Sequence, residues 1–325
     1  MPRFDLSLDE LREYRPPVRR PADFDDFWRS TLAEADAAAT ETISRAHPSP
    51  FSSIEVNDVT FSGFGGQPVK AWLLSPSGVD ADAPLPCIVQ YVGYGMGRGY
   101  PNEHIAWAAA GYRVFVMDTR GQGSGWGSGG ETGDDAPSGP SAPGFLTRGI
   151  ESPESYYYRR VFTDAARAVD VVRGMAGVDS SRVVAFGASQ GGGIALAAAG
   201  LVDGLAAVMS DVPFLCHFER AVGMTGAEPY NEVVRYLSVH RNRDEQTFST
   251  LAYFDGVNFA ARATAPAMFS VALMDPVCPP STVFAAFNAY GGPKTIEVYP
   301  FDEHVGGGPL QWWKQAHWLP QHVSR

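Results

Sequence analysis

The sequence predicts an α/β fold: one doubly wound, mostly parallel sheet with helices on both faces, an N-terminal extension, a long loop and a helical insertion. Three observations predict it. Short apolar runs such as Pro86-Cys-Ile-Val-Gln-Tyr-Val92 and Arg113-Val-Phe-Val-Met117 recur as strands, with helix-length segments between them. The pentapeptide Gly187-Ala-Ser189-Gln190-Gly191 lies between one such strand and an alanine-rich helix. The chain has 325 residues, 45% of them hydrophobic and 12% aromatic, enough to bury one large core in a single domain over 1–325.

Residues 1–50 read as a helical extension, in which Asp23–Ala39 places Phe24, Phe27, Trp28 and Leu32 on one apolar helix face. Val56–Ser62 and Val69–Leu74 read as strands. The alternation then runs strand Pro86–Val92, helix Ile105–Ala110, strand Arg113–Met117, helix Val161–Met175, strand Arg182–Phe186 and helix Gly193–Gly200. It closes with strands Ala206–Ser210 and Ala267–Leu273, helix Pro279–Tyr290 and strand Thr295–Tyr299. Two stretches stand outside it. Residues 120–150 are rich in Gly, Pro and Ser and too long for a plain connection, so they read as an excursion for assembly or for bordering a site. Residues 213–262 look helical and interrupt the sheet, the usual place for a lid.

A formal net charge of -11 argues against nucleic acid, whose phosphates need clustered Lys and Arg, and against anionic membranes. The three cysteines, Cys87, Cys216 and Cys278, are too scattered for a disulfide framework or a zinc pattern. The first residues show no secretory signal, and no apolar run approaches the ~20 residues that span a bilayer. The expectation is a cytoplasmic protein. Gly125-Trp-Gly127-Ser-Gly129-Gly130 matches a dinucleotide fingerprint, but acidic residues follow where a helix should start. The chemistry expected below needs neither metal nor cofactor.

The pentapeptide carries that chemistry. A sharp strand-to-helix turn exposes the Ser189 hydroxyl, and the helix start offers free N–H groups where an oxyanion forms. A serine needs a base, and the base needs a carboxylate to orient it. On a fold of this kind, the α/β-hydrolase fold, the order is serine, acid, histidine. Asp275 follows the strand Ala267–Leu273 and His304 follows the strand Thr295–Tyr299, so both stand where ligands gather on an open sheet. Asp211, ending another strand, is the alternative acid. Asp255 reads as structural, His317 and His322 as members of a C-terminal helix, and His217 and His240 as unpartnered. His104 reads as a helix-start residue. The loop Gly93-Tyr94-Gly95-Met-Gly97 supplies the second oxyanion donor, so the donors are assigned to the backbone N–H groups of Tyr94 and Gln190.

The chain also resembles carbohydrate esterase family 7, the acetyl xylan esterases that act as cephalosporin C deacetylases. The strings that carry the resemblance include Gln90-Tyr-Val-Gly-Tyr94, Asp118-Thr-Arg-Gly-Gln-Gly-Ser-Gly-Trp126, Tyr156-Tyr-Tyr-Arg-Arg-Val-Phe-Thr-Asp164 and Gly187-Ala-Ser-Gln-Gly-Gly-Gly193. Asp211-Val-Pro-Phe-Leu-Cys-His217, Tyr253-Phe-Asp-Gly-Val-Asn-Phe259 and Asp275-Pro-Val-Cys-Pro-Pro-Ser281 extend it over nearly the whole chain. The resemblance implies Ser189, Asp275 and His304 as the triad and Arg120 and Gln122 as structural supports. It implies an acyl pocket walled by Tyr94, Pro229 and Val277, and a homohexamer in which the 120–150 stretch is the interface loop. One departure is Val305 after His304, where relatives usually carry Glu.

The expected reaction removes acetyl groups from small acetylated sugars or esters, such as xylo-oligosaccharides and cephalosporin C, through an acetyl-enzyme. The rival readings are a longer-chain esterase or a peptidase with the same triad, acetyl transfer to an acceptor other than water, and a non-catalytic scaffold of the same fold.

Overall fold

The structure is a computed structural model that describes residues 3–79, 84–134 and 138–323. Residues 1–2, 80–83, 135–137 and 324–325 lie outside the described residues, which removes both ends of the expected 1–325 domain and three positions of the 120–150 excursion.

The strands are β1 Ile43–Ala46, β2 Ile54–Ser62, β3 Pro68–Pro76, β4 Leu85–Tyr91, β5 Arg113–Met117, β6 Val178–Ala188, β7 Ala207–Asp211, β8 Ala267–Ala272 and β9 Lys294–Tyr299. They form one nine-stranded sheet in the order β1-β2-β3-β5-β4-β6-β7-β8-β9. From β5 across to β9 every pairing is parallel, whereas β1, β2 and β3 add antiparallel strands at one edge.

Both faces of the parallel part are buried. Val89 and Phe115 enter one hydrophobic cluster, while their chain neighbours Ile88 and Val114 enter the other. Successive strand side chains point to opposite faces, so a strand covered on both sides reads as an unbroken apolar run. The larger cluster takes up the helices Tyr157–Arg173 and Gln190–Leu201, and the smaller takes up Trp107 and Leu319.

The differences from the sequence reading have physical causes. The 1–50 stretch is only partly helical: Leu8–Glu13 and Phe24–Ala37 are helices, but β1 falls inside it. That strand is exposed along its whole length and is held by its antiparallel ladder to β2, so it carries no apolar alternation. The helix expected at Val161 starts at Tyr157, because fully buried Tyr157 and Tyr158 already belong to its apolar face. The C-terminal helix Gly308–Trp318 contains His317 but ends before His322. Four helices occupy the insertion between β7 and β8: Phe218–Met224, Asn231–Val239, Asp244–Leu251 and Gly256–Ala260.

The N-terminal segment is stitched to this insertion and to the helix Pro280–Ala289. Phe24 and Trp28 bury their rings against Phe259, and Trp28 Nε1 donates to the Tyr253 carbonyl at 3.0 Å. Burying a side chain such as Phe24 contributes about 1.5–3 kcal/mol. Asp5 accepts from the Ser281 N–H at 2.7 Å and pairs with Arg220 at 2.9 Å. No helix among the described residues is long and apolar enough to cross a membrane.

Candidate active site

At the carboxyl end of β6 the chain turns sharply into the helix Gln190–Leu201, and Ser189 occupies the corner at φ 56°, ψ -121°. A non-glycine residue held at positive φ costs of order 1–3 kcal/mol, so its surroundings must fix it there. Ser189 donates its N–H to the Asp211 carbonyl at 2.9 Å and accepts on its own carbonyl from Gly193 and Phe214. The two glycines of the pentapeptide are demanded by crowding. A Cβ on Gly187 would stand 2.3 Å from Gly191, and one on Gly191 would stand 2.2 Å from the Tyr91 carbonyl oxygen. Two backbones pass too closely there for any side chain.

Loops after β8 and β9 bring the partners. His304 Nε2 lies 2.9 Å from Ser189 Oγ, and His304 Nδ1 lies 2.8 Å from Asp275 Oδ2. Asp275 is completely buried, and its other oxygen accepts the N–H groups of Val277 at 2.8 Å and Cys278 at 3.0 Å. Every group facing that carboxylate is a donor, so Nδ1 carries the histidine proton. Nε2 is then free to accept from the serine hydroxyl. The arrangement can draw a proton from Ser189 and return it to a leaving group.

The expected oxyanion donors, Tyr94 and Gln190, belong to a second network. Among the described residues, the N–H groups of Tyr94 and Gln190 have no hydrogen-bond partner. The Gln190 side chain points backward: its Nε2 donates to the Val92 carbonyl at 3.3 Å, and its Oε1 accepts from Tyr158 and from Gln122. Gln122 Oε1 in turn accepts the Gly95 N–H at 2.7 Å. The two amides therefore clamp the loop that carries Tyr94 from both of its ends. Arg120 stands one layer behind, fully enclosed, with Nε on Asp164 Oδ2 at 2.5 Å and its carbonyl accepting from the Tyr157 hydroxyl. Burial works against the Arg120 cation, but Asp164 and Asp134 overcome it and raise its pKa.

The residues expected to wall an acyl pocket sit on different elements. Val277 follows Asp275 by two positions and is half-buried, whereas Pro229 is buried at the start of the helix Asn231–Val239. The Thr225 hydroxyl donates to the Pro276 carbonyl, which ties the Pro229 segment to the Asp275 turn. The Tyr94 side chain is nearly buried, its hydroxyl 2.6 Å from Glu232 Oε1.

The other acids and histidines direct their side chains to other partners. Asp211 accepts from Gln311 and Gln315, and burial, against those two bonds, pushes its carboxyl up to about 6. Asp255 caps the helix Gly256–Ala260 and receives the His217 and Phe218 N–H groups. His104 bridges Gln90 and the Arg98 carbonyl, and His317 bonds the Trp313 carbonyl within its own helix. Val305, the departure beside His304, is 67% exposed.

Sequence reasoning passed over five residues around this site. Glu232 had no motif to mark it. Asp164, Tyr157 and Tyr158 were visible only as a shared string, without their contacts. Cys278 was read only as one of three scattered cysteines, yet its sulfur lies within 4.8 Å of ligand-type atoms of Asp275 and His304. Burial first, then the Asp275 charge, holds that thiol well above its ordinary pKa and hence protonated.

Known proteins share this fold. A structure titled acetyl xylan esterase from Paenibacillus sp. R4 superposes with a TM-score of 0.91 at 37% identity, covering 98% of this chain and all of that one. Acetyl xylan esterase 1 from Thermoanaerobacterium sp. JW/SL YS485 superposes at 0.89 with 32% identity over 98% of this chain and all of the other. An acylaminoacyl peptidase of Pyrococcus horikoshii shares the fold alone, at 0.60 and 15% identity over 85% of this chain and 43% of that one. An acetyl esterase of Xylanibacter ruminicola is 30% identical over 187 residues, which cover 56% of this chain but only 40% of that longer protein. The family model for acetyl xylan esterase (AXE1) matches residues 1–322. The chain belongs to the acetyl xylan esterase family of carboxylic ester hydrolases, on an α/β-hydrolase fold.

Proposed function

We propose that this protein is an esterase that removes acetyl groups from acetylated xylo-oligosaccharides and small esters, cephalosporin C among them, through an acetyl-enzyme. The observation that carries it is the unbroken relay Asp275–His304–Ser189, with contacts of 2.8 and 2.9 Å. In the first half, His304 takes the Ser189 proton as Oγ attacks the acetyl carbonyl carbon. The oxyanion is held by the Tyr94 and Gln190 N–H groups, each such donor worth roughly 10²–10³ in rate. His304 then gives its proton to the departing alcohol. In the second half, His304 deprotonates water, which attacks the acetyl carbonyl and releases acetate and free Ser189.

Tyr94, Pro229 and Val277 wall the acyl group, and Arg120 and Gln122 hold the loop that shapes the oxyanion side. The three cysteines are free and buried among the described residues, which supports a reduced, cytoplasmic setting. The 120–150 stretch carries subunit contacts of a homohexamer; Trp126 on it is 53% exposed, a large apolar surface for a lone chain. The helical insertion at 213–262 borders the site as a lid.

Ser189→Ala tests the reading. Its p-nitrophenyl acetate hydrolysis falls by at least about 10⁴ while thermal stability and assembly stay as in the wild type. Near wild-type turnover in that variant overturns it.

A further inference from the structure

One buried carboxylate joins three segments around the acyl wall. Glu232 lies on the insertion helix Asn231–Val239 and is 7% exposed. Its Oε1 accepts the Tyr94 hydroxyl at 2.6 Å, and its Oε2 accepts the Leu146 N–H at 3.0 Å. The Tyr94 oxygen also accepts the Phe145 N–H at 2.9 Å and the Gly144 N–H at 3.3 Å. These partners come from the oxyanion loop, the 120–150 excursion and the insertion, and nothing in the local chain requires them to meet.

Both Glu232 oxygens face donors alone, so the group serves there as a carboxylate. Burial raises its pKa, and the Tyr94 and Leu146 donors work against that rise. A buried charge costs free energy that an apolar side chain of similar size would not. What the charge contributes is a fixed position for one ring. The Tyr94 ring lies 5.6 Å from Phe145 and 6.0 Å from Phe214, centroid to centroid, and the N–H of the next residue is held by Gln122. The ring is pinned at its backbone, its face and its tip.

We propose that Glu232 is a specificity-determining positioning residue: by holding the Tyr94 hydroxyl, it keeps that ring closed as the acyl wall and restricts the enzyme to acetyl groups. This rests on the reading of Tyr94 as a wall. A neutral amide at 232 puts an N–H₂ against one of the two donors, and the wall loses its anchor. Selectivity for one methylene in an apolar pocket is worth roughly 10–200-fold, so loosening the wall removes a factor of that order.

The test compares kcat and KM for p-nitrophenyl acetate, butanoate and hexanoate in the wild type, Glu232→Gln and Tyr94→Phe, with Tm for each. The acetate-to-butanoate ratio of kcat/KM falls by about tenfold or more in Glu232→Gln, mainly because butanoate improves relative to acetate. Tyr94→Phe keeps the ring, lacks the hydroxyl and shows the same fall, and the double variant adds little to either. Tyr94→Phe also decides the matter if Glu232→Gln does not fold. A loss shared equally by all three esters, with the ratio unchanged, overturns the role of Glu232. A wild type that hydrolyses butanoate as well as acetate overturns instead the wall reading beneath it.

Discussion

Asp275 shows how much one side chain's orientation decides. Oδ1 is taken by two backbone N–H groups and Oδ2 by His304, so no oxygen is spare. In Asp275→Asn the amide oxygen stays with the backbone donors and the N–H₂ faces His304. The imidazole then carries its proton on Nε2, pointing at Ser189, and can no longer act as a base. The kcat of that variant falls by about 10⁴ with Tm little changed, measured by ester hydrolysis and thermal unfolding. Ser189, Asp275 and His304 were legible as candidates because the fold places such residues at strand ends, and strand ends show in the apolar pattern. Glu232 was not, since its meaning lies in contacts to residues 86 and 138 positions away.

The elements that came through in the sequence are those buried on both faces. β5 matches its expected bounds, because all five residues are apolar or covered. β1 was hidden, because a short exposed edge strand is defined by hydrogen bonds to its neighbour and not by its own residues. β6 runs four residues earlier than expected, through a polar start that pairs with β4 across a register shift. The turn between β6 and its helix sets the strictest local demand. Gly191→Ala drives a methyl group into the β4 backbone and destabilises the protein by about 3 kcal/mol or more, read by chemical denaturation. Gly223→Ala, where a Cβ meets nothing within 4 Å, is the matched control and leaves stability unchanged or higher.

At the scale of the molecule, the 120–150 stretch is less free than its composition suggested. Asp134 on it is bound by Arg160 at 2.7 Å through two contacts and by Arg148 at 3.4 Å, with Arg120 at 3.9 Å. Burial alone would raise the Asp134 carboxyl, but Arg160, Arg120 and Arg148 override it and hold it below the ordinary value of 3.8. Its stabilisation is therefore complete well above pH 3.8 and is lost as acid protonates it below that value. Asp134→Asn lowers stability by about 3 kcal/mol at pH 7, and the gap to the wild type closes as the pH drops below the carboxylate range. Unfolding curves at several pH values check this. Gly and Ser content could mark the stretch as irregular, but not which arginines would anchor it.

The N-terminal stitching bears on the order in which the chain can become itself. Asp5 reaches Ser281, Leu11 and Tyr14 reach Asn288, and Arg19 reaches Glu245, with separations of 226 to 277 residues. The seats of residues 5–19 lie at residues 245–288, in the insertion and in the helix Pro280–Ala289. Contacts of such range must close a long loop before they return any stability. Docking residues 5–19 beside the segment that follows Asp275 therefore depends on the fold that builds those seats.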